Sequence, residues 1–306
     1  MLKPRLNYKW RLRTRSLELG RRTLIMGVLN VTPDSFSDGG QFFSRDHAVG
    51  HALEMLEEGA DIIDIGGEST RPGAKADQAG VSAGEELERV LPVVQAVLGE
   101  RPSTLISVDT YKAEVAQAAL NSGAEIVNDV SALRWDSAMA STVAESNCGL
   151  VLMHARGRPQ EWRDLPHAAD IVAEVKADLG KWSSAALRAG VARESIVLDP
   201  GFGFGKKFEG NYPLLARFGE FDELGFPLLS GTSRKSFIGR TLASDGRDAP
   251  PDQRLYGTLT TVTASILQGA HIVRVHDVRP AVEVAKVADE ILSFLPRPRQ
   301  AGGGAA

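Results

Sequence analysis

Eight short runs of β-branched and other apolar residues recur along the sequence from residue 23 onward. The runs cover residues 23–30, 61–67, 104–110, 125–130, 149–154, 195–200, 227–232 and 271–277. Between them lie stretches with helical periodicity, several of which end in a glycine: 47–59, 85–98, 112–123, 169–190 and 259–269. This alternation is typical of βα units around a parallel sheet. It predicts eight strands and about eight helices.

Most of the runs are apolar until their last residues and then end in a polar side chain. The polar residues are Asn30, Asp64, Asp109, Asn128, His154, Asp199, Thr232 and His276. Eight parallel strands that close into a (β/α)8 TIM barrel bring their C-terminal ends to one rim, where such barrels carry their active sites. We therefore predict a single-domain α/β protein of this fold, with a doubly wound open sheet as the alternative.

The composition fits one globular catalytic domain. Of 306 residues, 43% are hydrophobic, and 35 Lys and Arg against 39 Asp and Glu give a net charge of −4. No apolar stretch is long enough for a membrane helix, and the single Cys148 excludes an internal disulfide. Dense basic sequence is confined to the first 22 residues, which argues against nucleic-acid binding. We expect a cytoplasmic protein with an N-terminal basic capping segment (1–22), a catalytic domain (23–296) and a disordered tail (297–306).

Cationic side chains at two strand ends predict an anion site. In HIVRVHD, the strand period of two places Arg274 and His276 on one face. A guanidinium and an imidazole placed in this way can bind phosphate or diphosphate. The segment GGESTRPG adds the Thr70 hydroxyl and the Arg71 guanidinium beside a glycine pair that lets the backbone approach a ligand. For Arg274 and His276 alone, a structural ion pair with a carboxylate is an equally good interpretation.

Two further segments place lysine among glycines or serines. DPGFGFGKK does not match a phosphate-binding loop, because Pro200 stands in place of its first Gly and Lys207 in place of its Ser or Thr. Its glycines do not match the dinucleotide-binding spacing either. SGTSRKSFIG places Ser233, Lys235 and Ser236 just after the seventh run, a position that often binds anions in barrels. A solvated lysine is the alternative for Lys235.

Three acidic or amide side chains come from three different strand ends. Asp109, Asn128 and Asp199 can accept hydrogen bonds from the donor-rich edge of an aminopyrimidinone ring. A zinc site is the alternative, but zinc barrels carry a His-x-His pair on the first strand, and this strand ends in Asn30. Mg²⁺ held by one protein oxygen and by substrate phosphate oxygens fits the sequence better.

The segment after the first run, residues 32–46, is rich in Pro, Asp, Ser and Gly and contains three phenylalanines. A plain surface turn does not need three aromatic side chains. We predict a lid loop.

Six blocks of the sequence together resemble one known family. They are MGVLNVTPDSFSDGG, DIGGESTRPGA, IVNDV, LDPGFGFGK, GTSRKSFIG and VRVHDV, in this order between Leu24 and Val278. On these blocks the chain resembles the dihydropteroate synthase family of the folate pathway. The resemblance implies a (β/α)8 transferase that joins 4-aminobenzoate to 7,8-dihydropterin-6-ylmethyl diphosphate and releases diphosphate and 7,8-dihydropteroate.

The resemblance also implies roles for the residues that match the family pattern. Asn30 would bind Mg²⁺ and, with Thr70, Arg71, Arg274 and His276, the diphosphate. The pterin would contact Asp109, Asn128, Met153, Asp199, Phe204 and Lys235. The aminobenzoate would contact Phe36, Arg71, Pro72, Lys235 and Ser236. Lys235, Arg71, Asp109, Arg274 and His276 would be catalytic, with support from Asp64, Gly231 and Ser233. We also expect a homodimer, because barrels often pair through their outer helices.

Two alternatives share parts of this pattern. A pterin-binding methyltransferase barrel would have a similar Asp/Asn/Asp set, but it would need neither the lid segment nor Ser-Arg-Lys, and this chain has both. A pterin-binding protein without turnover should show damage in the first two loops, and TPDSFSDGG and GGESTRPG are intact. Both are therefore weaker interpretations than the transferase.

Overall fold

The computed structural model describes residues 2–32, 41–68 and 80–296, without the side chains of residues 41–44. Its strands are β1 (Tyr8–Arg11), β2 (Ser16–Leu19), β3 (Leu24–Asn30), β4 (Ile62–Gly66), β5 (Leu105–Asp109), β6 (Ile126–Asp129), β7 (Gly149–Met153), β8 (Ile196–Asp199), β9 (Leu229–Ser230) and β10 (Ile272–Val275). Its α-helices are α1 (Gln41–Glu58), α2 (Ala83–Glu100), α3 (Ala113–Asn121), α4 (Met139–Ser146), α5 (Ile171–Arg188), α6 (Asn211–Ala216), α7 (Ser236–Thr241), α8 (Leu255–Leu267) and α9 (Val278–Ser293). The predicted disordered tail, residues 297–306, lies outside the described residues.

Strands β3 to β10 form the predicted barrel. They pair in parallel in the order β8-β7-β6-β5-β4-β3-β10-β9. The two ends of this order meet where Leu198, next to the end of β8, bridges Leu228, next to the start of β9. The prediction of a (β/α)8 barrel is confirmed, and the open doubly wound sheet is excluded because β8 and β9 meet.

The helices cover the outer face of the barrel, and local sequence signals fix where they start. Ser82 and Glu85 form a capping box on α2, in which the Ser82 hydroxyl accepts from the Glu85 amide and the Glu85 carboxylate accepts from the Ser82 amide. The Asp170 carboxylate caps α5 by accepting from the amides of Val172 and Ala173. These two caps fix where α2 and α5 begin after β4 and β7. Among the helices of the described residues, none is long and apolar enough to cross a membrane.

The inner face of the barrel changes from apolar to polar along five of its eight strands. At the N-terminal end every strand contributes an apolar side chain to one buried cluster: Leu24, Met26, Ile62, Leu105, Ile126, Val151, Val197, Leu229 and Ile272. Because alternate residues face the same side, the next inward positions along the strands are Asp64, Ser107, Asn128, Asp199 and Arg274. The strand period therefore places the polar residues above a dry plug, at the C-terminal end of the barrel.

A hairpin of β1 and β2 closes the N-terminal end of the barrel. Trp10, Leu12 and Leu19 belong to the same buried cluster as the inward side chains of the strands. The indole N–H of Trp10 donates to the carbonyl of Ser195 at 2.8 Å. The first 22 residues, which the sequence predicted to be a basic capping segment, therefore also contribute apolar side chains to the core.

We expect Trp10→Ala to lower the free energy of unfolding by about 3–5 kcal/mol, because it removes a fully buried aromatic side chain from the plug. Urea unfolding followed by circular dichroism measures the change. The matched control is Lys9→Ala, because Lys9 is exposed on the same strand. An equal, small effect of both variants would contradict the role of Trp10 as the plug.

The predicted strand boundaries agree with the structure to within two residues, whereas two loop regions differ. The hairpin β1–β2 was not predicted, and α1 begins at Gln41, inside the segment 32–46 that was predicted to be a lid loop. Only residues 33–40 of that segment lie outside the described residues. The lid itself therefore stays a prediction.

Candidate active site

A cavity of about 280 Å³ opens at the C-terminal rim of the barrel. Among the predicted site residues, those that line it are Asn30, Asp109, Asn128, Met153, Asp199, Phe204, Gly231, Ser233, Lys235, Ser236, Arg274 and His276. Asp64 lies directly beneath it and is fully buried. Phe36, Thr70, Arg71 and Pro72 lie outside the described residues. The structure thus brings together side chains from β3, β5, β6, β7, β8 and β10 that are far apart in sequence.

The floor of the cavity is a hydrogen-bonded network around the Asp64 carboxylate. Its Oδ2 accepts from Arg274 Nε at 2.6 Å and from Asn128 Nδ2 at 2.9 Å. Arg274 Nη2 donates in turn to Asp109 Oδ2 at 2.7 Å. Because the carboxylate of Asp64 can only accept, it orients Asn128 so that the amide oxygen is the acceptor left for a ligand. The buried Asp64 therefore positions Asn128 and Arg274 at once.

Burial raises the pKa of two carboxyl groups in the cavity. Desolvation is the main cause for Asp109, whose pKa rises to about 7, while Arg274 opposes the rise and Asp64 adds to it. Desolvation also raises the pKa of Asp199 to about 6, opposed first by the hydrogen bond from the Gly201 amide. Both groups are therefore poised to change charge when a ligand with N–H donors or a positive charge binds.

One wall of the cavity is apolar and carries a cation. Met153 belongs to a small buried cluster with Val130 and Ala155, and Phe204 packs against this cluster. The ammonium of Lys235 lies 4.1 Å from the centroid of the Phe204 ring. A flat ring entering the cavity would have Met153 and Phe204 to pack against and Lys235 at its edge.

Beside the end of β10 the cavity presents a hydrogen-bond donor. Ser233 Oγ accepts from the backbone amide of His276 at 3.2 Å and lies 3.0 Å from His276 Nδ1. When the hydroxyl hydrogen is donated to Nδ1, the neutral ring carries its own proton on Nε2. Arg234, in the left-handed region at φ 57°, pairs with Asp277 just after His276. This pair holds the loop with Ser233 and Lys235 against the end of β10.

The chemistry of Asn30 suits an ion that needs few protein ligands. Asn30 ends β3, is half-buried and lines the cavity with a carboxamide that hydrogen-bonds none of the other described residues. In the described part of the chain, no group of three or more His, Cys, Asp or Glu side chains could hold a metal ion. A protein cage of the zinc type is therefore not formed by these residues, whereas Mg²⁺ with a single amide ligand, waters and substrate oxygens fits them.

Three of the eight polar strand-end residues do not line the cavity: Asp64 lies beneath it, whereas His154 and Thr232 face away from it. His154 is fully buried behind the barrel wall, stacked on Trp182 at 4.9 Å between ring centroids. The Thr232 hydroxyl accepts from Thr261 of α8 at 2.9 Å. The reason is the strand period: Met153 and Gly231 point inward, so the next residues point toward the helices. The expectation that all eight would meet at the rim was wrong for His154 and Thr232.

Sequence reasoning missed two charged groups beside the cavity. The ammonium of Lys112 contacts both Glu68, which lines the cavity, and Glu86, which is buried on α2. Lys206 is almost fully buried in the loop after β8, and it donates to the carbonyl of His154 at 2.7 Å. A buried lysine next to glycines has no signature in a single sequence, because lysine is normally exposed.

Comparisons with known proteins agree with this geometry. Residues 26–276 match the family model described as pterin binding enzyme. The chain is 46% identical over 278 residues to the dihydropteroate synthase of Bacillus subtilis, which covers 91% of this chain and 92% of the relative. The structure of Xanthomonas albilineans dihydropteroate synthase with 4-aminobenzoic acid covers 95% of this chain and 100% of its own, with a TM-score of 0.85 and 42% identity. The same enzyme in complex with 7,8-dihydropteroate superposes with a TM-score of 0.80 at 40% identity, covering 94% and 100% of the two chains.

Fold and site together define a barrel enzyme of the pterin-binding class, with its active site at the C-terminal rim. The 46% identity to the Bacillus subtilis dihydropteroate synthase, over most of both chains, identifies the family within this class. The chain belongs to the dihydropteroate synthase family.

Proposed function

We propose that this chain transfers the 7,8-dihydropterin-6-ylmethyl group from its diphosphate to 4-aminobenzoate, releasing diphosphate and 7,8-dihydropteroate. The observation that carries the proposal is the division of the cavity into acceptors and donors. Asp109, Asn128 and Asp199 present acceptors, whereas His276, oriented by Ser233, presents its Nε2–H as a donor beside the end of β10. A substrate with a donor-rich heterocycle at one end and a diphosphate at the other matches this division.

The acceptor side would recognise the pterin. Its ring N–H and exocyclic amino group need two or three acceptors in a plane, and the three residues lie at the ends of adjacent or nearly adjacent strands β5, β6 and β8. Met153 and Phe204 would pack against the ring faces. Because Asp199 and Asp109 carry raised pKa values, their ionised forms gain more from a ligand with positive character than from a neutral one.

The donor side would stabilise the leaving diphosphate. The Nε2 proton of His276 can bind a phosphoryl oxygen, and the Ser233 hydroxyl fixes the ring for that contact. Mg²⁺, held by Asn30, would neutralise charge on the phosphate oxygens when bound. Thr70 and Arg71 of the GGESTRPG segment complete this set on the family pattern. With the leaving group stabilised, C–O cleavage can precede attack by the arylamine.

The acidic Asp109 and Asp199 at the edge of the ring would favour a cationic pterin intermediate. Lys235 and Ser236 line the cavity, and on the family pattern they would contact the aminobenzoate together with Phe36, Arg71 and Pro72. Pterin diphosphate labelled with ¹⁸O at the oxygen between carbon and phosphorus tests whether C–O cleavage precedes attack by the arylamine. Exchange of the label into nonbridging positions of recovered substrate supports cleavage first. Absence of exchange together with a rate that depends strongly on the arylamine would indicate concerted displacement.

One assay tests the proposal directly. The protein is mixed with 7,8-dihydropterin-6-ylmethyl diphosphate, 4-aminobenzoate and Mg²⁺, and the product is identified by mass spectrometry. We expect dihydropteroate and one diphosphate per turnover, and loss of turnover with EDTA that added Mg²⁺ restores. Binding of the pterin without any product would indicate a binding protein instead, and methyl transfer from methyltetrahydrofolate to a corrinoid would indicate the alternative barrel enzyme.

Pterin affinity is expected to fall as the pH falls through 7 and then through 6, because ionised Asp109 and Asp199 accept from N–H donors more strongly than the protonated acids do. The stability of the ligand-free fold should respond in the opposite sense. With folded-state pKa values above the usual 3.8, both groups favour the fold on the acidic side, and this contribution is lost as pH rises through 6 and 7. Calorimetric titration with 6-hydroxymethylpterin across this range measures the affinity. In Asp109→Asn the upper step should disappear, and a pH-independent affinity of the wild type would contradict the assignment.

We also propose a cytoplasmic homodimer. An apolar stripe on the outside of α9 supports the dimer, because Val287, Ile291 and Phe294 are 64%, 44% and 81% exposed at helical spacing. The lone cysteine, Cys148, is buried and fits a reducing compartment. Analytical ultracentrifugation of Val287→Glu, with Lys286→Glu as the control on the same helix, tests the dimer: a monomer in the first variant alone supports it. Dimers in both variants would place any interface elsewhere.

A further inference from the structure

Lys206 lies behind the cavity wall, in the loop that joins β8 to α6. Its side chain is almost fully buried, with 3% of its surface exposed. Burying an ammonium is costly unless hydrogen bonds and a countercharge compensate. The groups that contact Lys206 therefore indicate the role of its charge.

The ammonium of Lys206 ties two elements of the pterin wall together. It donates to the carbonyl of His154, the residue after Met153, at 2.7 Å, and to the carbonyl of Phe204 at 3.2 Å. Each contact is to the backbone, so it fixes the main chain and leaves the side chains of Met153 and Phe204 facing the cavity. A single group thus bridges the end of β7 and the loop that follows β8.

The loop backbone winds closely around this ammonium. Gly201 has φ 68°, and a Cβ there would lie 2.0 Å from the carbonyl oxygen of His154 and 3.2 Å from Lys206 Nζ. Only glycine leaves room for the His154 carbonyl to reach the ammonium at this point. The amide of the same glycine donates to Asp199 Oδ1 at 2.7 Å. The loop that winds around Lys206 therefore also contacts the Asp199 carboxylate, which would bind the pterin.

Electrostatic contacts support the same role. The charge of Asp199 opposes the effect of burial, which lowers the pKa of Lys206 well below its usual value. In return Lys206, Lys235 and Arg274 all oppose the rise in the pKa of Asp199. Of these three cations, Lys206 approaches from the loop side, whereas the other two line the cavity.

We propose that Lys206 is a positioning residue of the pterin site: it holds the Phe204 loop against the end of β7 and so sets the apolar wall that Met153 and Phe204 form. The proposal rests on the proposed function, because it assumes that this wall receives the pterin ring. Lys206 itself does not line the cavity, so it acts through the backbone of its neighbours and not by touching the substrate.

The test compares Lys206→Met with Lys207→Met. Methionine keeps most of the stem and removes the ammonium, and Lys207 is the adjacent lysine of the same loop, with its side chain outside the cavity and outside the hydrogen bonds described above. Calorimetric titration with 6-hydroxymethylpterin, which lacks the diphosphate, measures the pterin contacts alone. We expect Lys206→Met to weaken pterin binding about tenfold or more, because the cavity wall loses the charged hydrogen bonds to the carbonyls of His154 and Phe204. Lys207→Met should bind the pterin as the wild type does.

Further measurements separate positioning from a general loss of stability. In Lys206→Met the KM for the pterin diphosphate should rise more than kcat falls. The pH at which pterin affinity is lost on the acidic side should rise by about one unit, because Asp199 loses a nearby cation. A lower melting temperature with unchanged pterin affinity and an unchanged pH dependence would overturn the proposal. Failure of the wild type to bind 6-hydroxymethylpterin would instead overturn the proposed function, so the two failures are distinguishable.

Discussion

Replacing Arg274 with methionine is expected to reduce kcat/KM by about 1,000-fold or more and to destabilise the fold by about 3–5 kcal/mol. The guanidinium bridges Asp64 and Asp109 with hydrogen bonds of 2.6 and 2.7 Å. Without it, a fully buried carboxylate is left beside a second one, and the pKa of Asp109 rises further above about 7. Asp109 would then be protonated at neutral pH and would lose its charge-assisted hydrogen bonds to the pterin. Initial rates and urea unfolding measure the two effects.

A matched pair of variants separates the chemical role of Arg274 from its structural one. Arg279→Met is the control, because Arg279 lies near the start of α9, is far more exposed, and pairs with Glu58 alone among the described residues. In the double variant Arg274→Met/Asp64→Asn the buried charge is removed as well, so most of the stability should return while turnover stays low. Recovery of turnover together with stability would mean that Arg274 serves the fold alone, which is the structural ion pair that the sequence left open.

The positions of the acceptor residues were predictable from sequence because they depend on a local rule. Asp109, Asn128 and Asp199 each end an apolar run, and a parallel barrel brings all strand ends to one rim. The same rule failed for His154 and Thr232, because it counted only the last polar residue of a run and ignored which side of the strand that residue faces. Counting along each strand from its buried apolar residue in steps of two gives the inward-facing positions. His154 and Thr232 are not among them, so this count would have excluded both from the cavity.

Other features depend on distances between residues that are remote in sequence, and no pattern in one chain reports those. The bridge from Arg274 to Asp64 spans 210 residues, and the contact from Lys206 to His154 spans 52. The hairpin that carries Trp10 could have been found from the alternation of Trp10 with Leu12 and of Leu17 with Leu19, but the density of basic residues around them concealed it. Family resemblance supplied roles for the rim residues, whereas the packing behind them required coordinates.

Lys235→Ala is expected to lower kcat by about 1,000-fold while the protein stays folded. Lys235 precedes α7 at the mouth of the cavity and is only half-buried, so its removal leaves no cavity in the core. Its ammonium lies 4.1 Å from the Phe204 ring centroid and lowers the pKa of both Asp109 and Asp199. Loss of the cation thus weakens the contact with the ring edge and favours the protonated acids. Rates at saturating substrates and the melting temperature measure turnover and folding.

Lys235 and Lys206 approach the same Asp199 from opposite sides, and this difference predicts different kinetics. Lys235 lines the cavity and can contact the reacting substrate, so its loss should lower kcat. Lys206 acts through the backbone, so its loss should appear mainly in KM for the pterin diphosphate. If Lys235→Ala turned over at the rate of the wild type, the assignment of Lys235 as a catalytic residue would be wrong. If both variants changed only KM, the cation at the mouth would serve binding, and stabilisation of the pterin cation would rest on Asp109 and Asp199 alone.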